Sequence, residues 1–149
     1  TTRAKGVKLH DEDKTVADAI DGVSDFTEIT ATTGIDELSV LQTACVLQDA
    51  GAIQTISPLA SGIVQRRKKF LMKPKDVLIP GKLESFWKGM APYARKPIAE
   101  IQLITSSGVR HEITNVRFDA KLANEFLFPE ESLATLGLAP GETLWVKPL

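Results

Sequence analysis

At Gly51 the spacing of apolar residues changes, and with it the kind of element the chain can form. Before it, apolar side chains recur every three or four residues: Phe26 and Ile29, then Leu38, Leu41, Ala44, Cys45 and Leu47. That period places them on one face of an α-helix. After it, short β-prone runs at 52–56, 63–70, 98–104 and 109–116 suit strands. A helical first part and a strand-rich remainder predict an α+β fold.

Turn and capping residues divide the helical part into three. Thr15-Val-Ala-Asp18 resembles a capping box, and Val16, Ala19 and Ile20 give the first helix an apolar side before Gly22 ends it. Asp25-Phe-Thr-Glu28 repeats the capping signal, and Thr33-Gly34 closes the second helix. Asp36 can cap a third helix that runs to Ala50-Gly51. The strand pair expected next is 52–56 with 63–70, around a loop containing Pro58 and Gly62.

Charge is divided as sharply as apolar spacing. No lysine or arginine lies between Lys14 and Arg66, a stretch holding Asp18, Asp21, Asp25, Glu28, Asp36, Glu37 and Asp49. Residues 1–65 carry four bases and ten acids, net −6; residues 66–149 carry fourteen bases and nine acids, net +5. Ten of those bases fall in 66–96, against Asp76 and Glu84 alone. Such asymmetry points to a polyanionic partner, or to one part of the chain, or of a second copy, binding the other.

Three short helices followed by a β-hairpin is the order of a winged helix-turn-helix. Thr33-Gly34-Ile35-Asp36, Val40, Leu47, Ala50-Gly51 and Ile53 resemble that superfamily's turn, recognition helix and wing entry. The resemblance implies a winged-helix domain over 1–72, of a kind that serves both in DNA binding and in protein docking. In the DNA reading, Ser39, Gln42 and Thr43 on the third helix are the base readers. Arg66, Arg67, Lys68, Lys69, Lys73 and Lys75 then grip the phosphate backbone. Asp36 and Glu37 oppose that reading, because they would meet phosphates at the helix start.

Residues 73–96 read as a basic, aromatic connector. Residues 82–90 predict a short helix with Leu83, Phe86, Trp87 and Met90 on its apolar side, and a turn-rich link containing Tyr93 follows. Phe86, Trp87 and Tyr93 are candidate anchors for a protein partner. Their basic surroundings also suit stacking on a single-stranded nucleic acid, while burial against a neighbouring domain is the commoner fate of such aromatics.

The remainder, 97–149, predicts a small β-rich, barrel-like domain. Ser106-Ser-Gly108 turns a hairpin, residues 125–128 are a short apolar strand, 130–137 a helix, and 143–147 a final strand. The run Leu136-Gly-Leu-Ala-Pro-Gly-Glu-Thr-Leu-Trp-Val resembles the close of small β-barrels of the TOBE, AbrB and double-psi types. It is a packing signature, and no ligand comes with it.

Signals of catalysis are missing. There is no phosphate-binding glycine loop and no Cys/His cluster with metal spacing, so no cofactor and no metal are expected. His10 and His111 lie in different parts of the chain, and Glu130-Glu131 suits a helix start. Cys45, the one cysteine, reads as a small buried hydrophobe and suits a reducing compartment. No apolar run is long enough to span a bilayer and the first residues are polar, so a cytoplasmic protein without membrane contact is expected.

Two functions follow. In one, a non-enzymatic adaptor or regulatory subunit docks on a protein through its acidic winged helix and its connector; a homo-oligomer is compatible with it. In the alternative, a nucleic-acid-binding regulator grips phosphates with its basic wing. The absence of bases on the third helix favours the adaptor.

Overall fold

The structure, a computed structural model, describes residues 8–68 and 74–149. The chain divides into two compact units, Thr1–Ile56 and Ser57–Leu149, where the sequence suggested boundaries at 72 and 97.

Three helices make up the first unit: α1 (Asp11–Ala19), α2 (Phe26–Thr33) and α3 (Glu37–Asp49). α1 begins four residues before the start expected at Thr15. His10 stands at its N-cap, where its backbone N–H donates to Asp13 Oδ2 at 2.9 Å. Thr15 lies inside the helix and donates back to the Asp11 carbonyl. Three acids in the first turn complement the helix dipole. α2 and α3 start where their caps predict, with Asp25 accepting from Glu28 N and Asp36 from Ser39 N. Gly34 takes the left-handed conformation that stops α2, at φ 71°. Val16, Ile29 and Val40, one from each helix, form the buried centre.

The expected wing is not formed among the described residues. Residues 52–56 belong to no strand. Their intended partner is β1 (Ala60–Arg66), which pairs instead in parallel with β6 (Glu125–Phe128) and antiparallel with β7 (Thr143–Pro148). The second strand of the supposed wing is therefore a central strand of the second unit. A strand with inward positions in a core and a partner on each side gains more than one paired to the isolated 52–56 run.

The second unit also contains β2 (Val77–Pro80), α4 (Gly81–Lys88), a 3₁₀ turn (Ala91–Tyr93), β3 (Ile101–Ile104), β4 (Arg110–Ile113), β5 (Val116–Asp119) and α5 (Glu130–Leu136). The strands form one sheet in the order β4-β3-β7-β1-β6-β2-β5. The β3–β4 hairpin turns where expected, with Gly108 N donating to the Thr105 carbonyl at 2.9 Å. The segment read as a connector contributes β2 and α4, packed in this unit.

The sheet must curl. Its two edge strands, β4 and β5, are joined by Thr114 and Asn115 alone. Ile113 and Val116 therefore lie at most about 11 Å apart, three Cα steps of ~3.8 Å. A flat sheet of this order would separate its edges by about 29 Å, six spacings of ~4.8 Å. A barrel-like curl satisfies both, and it explains why one core takes side chains from every strand. Val64, Val77, Ile79, Ile101, Leu103, Ile113, Phe126, Phe128, Leu144 and Val146 are buried there, with Val116 and Phe118 of β5 packed against them. Among the described residues no helix is long and apolar enough to cross a membrane.

Candidate nucleic-acid interface

β1 organises the surface. Its even positions turn inward, Gly62 and Val64 being buried, while Ser61, Ile63 and Gln65 face out. Gly62 is required by contact: a Cβ there would stand 2.7 Å from the Asn124 carbonyl and 2.6 Å from Phe126 Cε2. β1 thus lies close against β6, and its continuation keeps to the same neighbour. Arg67 N donates to the Phe128 carbonyl at 2.8 Å.

Strand directions bring four strand ends together. β1 runs parallel to β6, with Arg66 beside Phe128; β6 runs antiparallel to β2, with Leu127 beside Leu78; β2 runs parallel to β5, with Val77 beside Val116. The ends of β1 and β6 therefore share one end of the sheet with the starts of β2 and β5. Arg66, Arg67, Lys68, Lys75 and Arg117 collect there, with two acids, Asp76 and Glu130.

Asp76 arranges two of these guanidinium groups. Its carbonyl accepts from Arg67 Nη1 at 2.7 Å, and its Oδ2 lies 3.4 Å from Arg117 Nη1. Asn115 Nδ2 donates to the Lys75 carbonyl, tying the starts of β2 and β5. Glu130 Oε1 stands 4.0 Å from Arg66 Nη1, both side chains largely in water. Exposed pairs of this kind are worth little, so a phosphate can replace the carboxylate at small cost. Lys68 and Lys75 are exposed. Lys69 and Lys73 lie outside the described residues.

The base readers expected on α3 are not displayed together. Thr43 is buried and donates to Asp13 Oδ1 at 2.6 Å, a bond that with the His10 backbone N–H holds the Asp13 carboxyl below its usual range. Ser39 Oγ donates to Asp36 Oδ2 at 2.7 Å and is spent on the cap; this bond, with the Ser39 backbone N–H, likewise lowers Asp36. Gln42 alone of the three is exposed. Cys45, expected in a core, is exposed as well.

The aromatic anchors are divided too. Trp87 is fully buried, its Nε1 donating to the Pro58 carbonyl at 2.6 Å and its ring standing edge-on to Phe118. Tyr93 is buried in the same core. Neither ring can meet a partner in the folded protein, whereas Phe86 remains 46% exposed on α4. Sequence reasoning passed over Arg117. Its place beside Asp76 depends on a pairing between residues 41 apart, which no local pattern announces.

Among the described residues, no three His, Cys, Asp or Glu side chains are grouped to hold a metal ion. No protein-family model matches the chain, and no curated protein sequence does. Three solved structures of designed DPBB (double-psi β-barrel) proteins overlay on 61% of it. The computationally designed msDPBB_sym2 is 15% identical, with a TM-score of 0.44 and 99% of its own length covered. The rationally designed mkDPBB_sym1 is 12% identical, with a TM-score of 0.45 and 99% covered. The rationally designed apDPBB_sym_79 is 11% identical, with a TM-score of 0.45 and 98% covered. Likenesses at this level assign no function to the chain.

Proposed function

We propose that this chain is a non-enzymatic nucleic-acid-binding protein whose second unit grips the phosphate backbone. The supporting observation is the gathering of Arg66, Arg67, Lys68, Lys75 and Arg117 at one end of the curled sheet. Backbone contacts of this kind give affinity without sequence choice, and each releases counterions. The helical unit contributes no lysine or arginine from α3, so the reading moves the contact away from the helix that a winged-helix protein would use.

Fluorescence anisotropy with labelled duplex DNA and single-stranded RNA tests this. Five phosphate contacts correspond to a slope of about −4.5 for log affinity against log salt on a duplex. Arg66→Glu with Lys68→Glu should remove binding. No binding of the native chain at low salt, or binding indifferent to these changes, would overturn the proposal.

A second reading, the protein-docking adaptor, draws on α3. Leu38 is 65% exposed there, and Gln42, Cys45, Val46 and Asp49 continue the same exposed stripe. A helix face this apolar in water suits a protein surface. The adaptor reading expects a partner protein that is held by the native chain and released by Leu38→Glu; a partner held equally by both would count against it.

A further inference from the structure

We infer that the outer face of β7 and β1 is a stacking platform for single-stranded nucleic acid, with Trp145 as its base-stacking residue. The inference rests on the phosphate-binding reading above and extends it from backbone to bases.

From Thr143 to Val146 β7 alternates between exposed and buried residues, and the alternation ends at Lys147, which is buried. Leu144 and Val146 are fully buried, and Trp145 between them is 37% exposed. A strand's alternation sends this ring to the outer face, away from the core. Its neighbour across β1 is Ser61, too small to cover an indole, and its neighbour across β3 is Ile104. Ile63, diagonal to it on β1, is 43% exposed, and Gln65 follows on the same face. From Ser61 to Gln65 is a path of about 13 Å along that face, four residues at ~3.3 Å. It leads from a partly exposed indole, past an exposed aliphatic and an amide, to the strand end where the cations gather.

The acids beside the path are engaged by backbone N–H groups. Glu125 lies next to Ile63 on β6, but its Oε2 accepts from Ala123 N at 3.1 Å and Asn124 N at 3.2 Å. These bonds, with its own backbone N–H first, hold its carboxyl below the usual range. Glu142 Oε2 accepts from Ala139 N at 3.1 Å. Both carboxylates serve backbone turns.

The chemistry selects a single strand. A duplex keeps its base faces stacked on each other, whereas a single strand offers them to an aromatic ring while its phosphates follow a basic track. With Trp87 and Tyr93 in the core, Trp145 is the exposed aromatic on this strand face; Phe86 belongs to α4.

Tryptophan emission of the full chain reads the contact directly, because Trp87 is buried and bonded to Pro58 while Trp145 is partly exposed. The probes are oligo(dT) of about 12 nucleotides, within the range such sites occupy, and a duplex of equal length. Oligo(dT) should quench emission. Trp145→Leu should bind oligo(dT) roughly five- to hundredfold more weakly, leaving duplex affinity unchanged, and Trp145→Phe should keep most of the binding. Oligo(dT) bound with unaltered emission, or bound equally by native chain and Trp145→Leu, overturns the platform while leaving the phosphate reading intact. No binding of either probe at low salt overturns both. Should Trp145→Leu fail to fold, quenching of the native chain and the affinity of Trp145→Phe still decide.

Discussion

Side chains at single positions carry much of the second unit's geometry. Gly62 sits where β1 meets Phe126 and the Asn124 carbonyl, and a backbone oxygen cannot swing aside as a side chain can. Gly62→Ala should therefore destabilise the protein by about 1–3 kcal/mol, the usual cost of overpacking. Denaturant melts should show a lowered midpoint with the slope unchanged. Trp87 and Phe86 make the opposite point about adjacent residues. Both fall on the apolar side of α4 that spacing predicts, yet Trp87 is fully buried and Phe86 is 46% exposed. Period alone says which side of a helix is apolar. Which rings on that side reach the core depends on Pro58 and Phe118, both distant in sequence.

Individual helices and strands differ in how far they could be read. α2, α3 and α5 begin and end close to where their caps, prolines and glycines predict, because capping is chemistry between near neighbours. β2 and β5 were not legible, since their pairing joins residues 39 apart, Val77 with Val116, and no local pattern announces it. The same physics removed the wing: residues 52–56 have strand-forming side chains but no strand beside them. Acid should test the caps and turns of the helical unit. Asp13, Asp21 and Asp36 all titrate below their ordinary value of 3.8, through hydrogen bonds from Thr43, from the Ser24 and Val23 backbone, and from Ser39 respectively. A depressed carboxyl stabilises the fold while ionised. Its contribution is complete above the unfolded value and is lost as pH falls through the lower folded one. Helical circular dichroism during heating should thus show the helices weakening below about pH 4. Thr43→Val should start less stable near neutrality and converge on the native curve in acid. Parallel curves at all pH values would exclude the Asp13–Thr43 bond as a cause.

On the scale of the whole molecule, stability is unevenly shared. The helical unit centres on Val16, Ile29 and Val40, while the sheet encloses a much larger core that includes four buried aromatics, Trp87, Tyr93, Phe126 and Phe128. Hydrogen exchange on the full chain should find amides of α1–α3 opening on the order of tenfold faster than those of β1, β6 and β7, a difference of about 1.4 kcal/mol. Equal protection throughout would mean that the two units unfold as one. The central place of β1 has a further effect during synthesis. β1 ends at Arg66, but the strands on either side of it begin only at Glu125 and Thr143. A ribosome adding about 5–20 residues per second leaves it with two open edges for several seconds. An apolar strand so exposed invites neighbouring nascent chains, and flanking charges are the usual guard against that. Arg66 closes it and Arg67 and Lys68 follow directly, so the cations proposed to hold phosphate in the finished protein stand where guarding charges belong in the unfinished one.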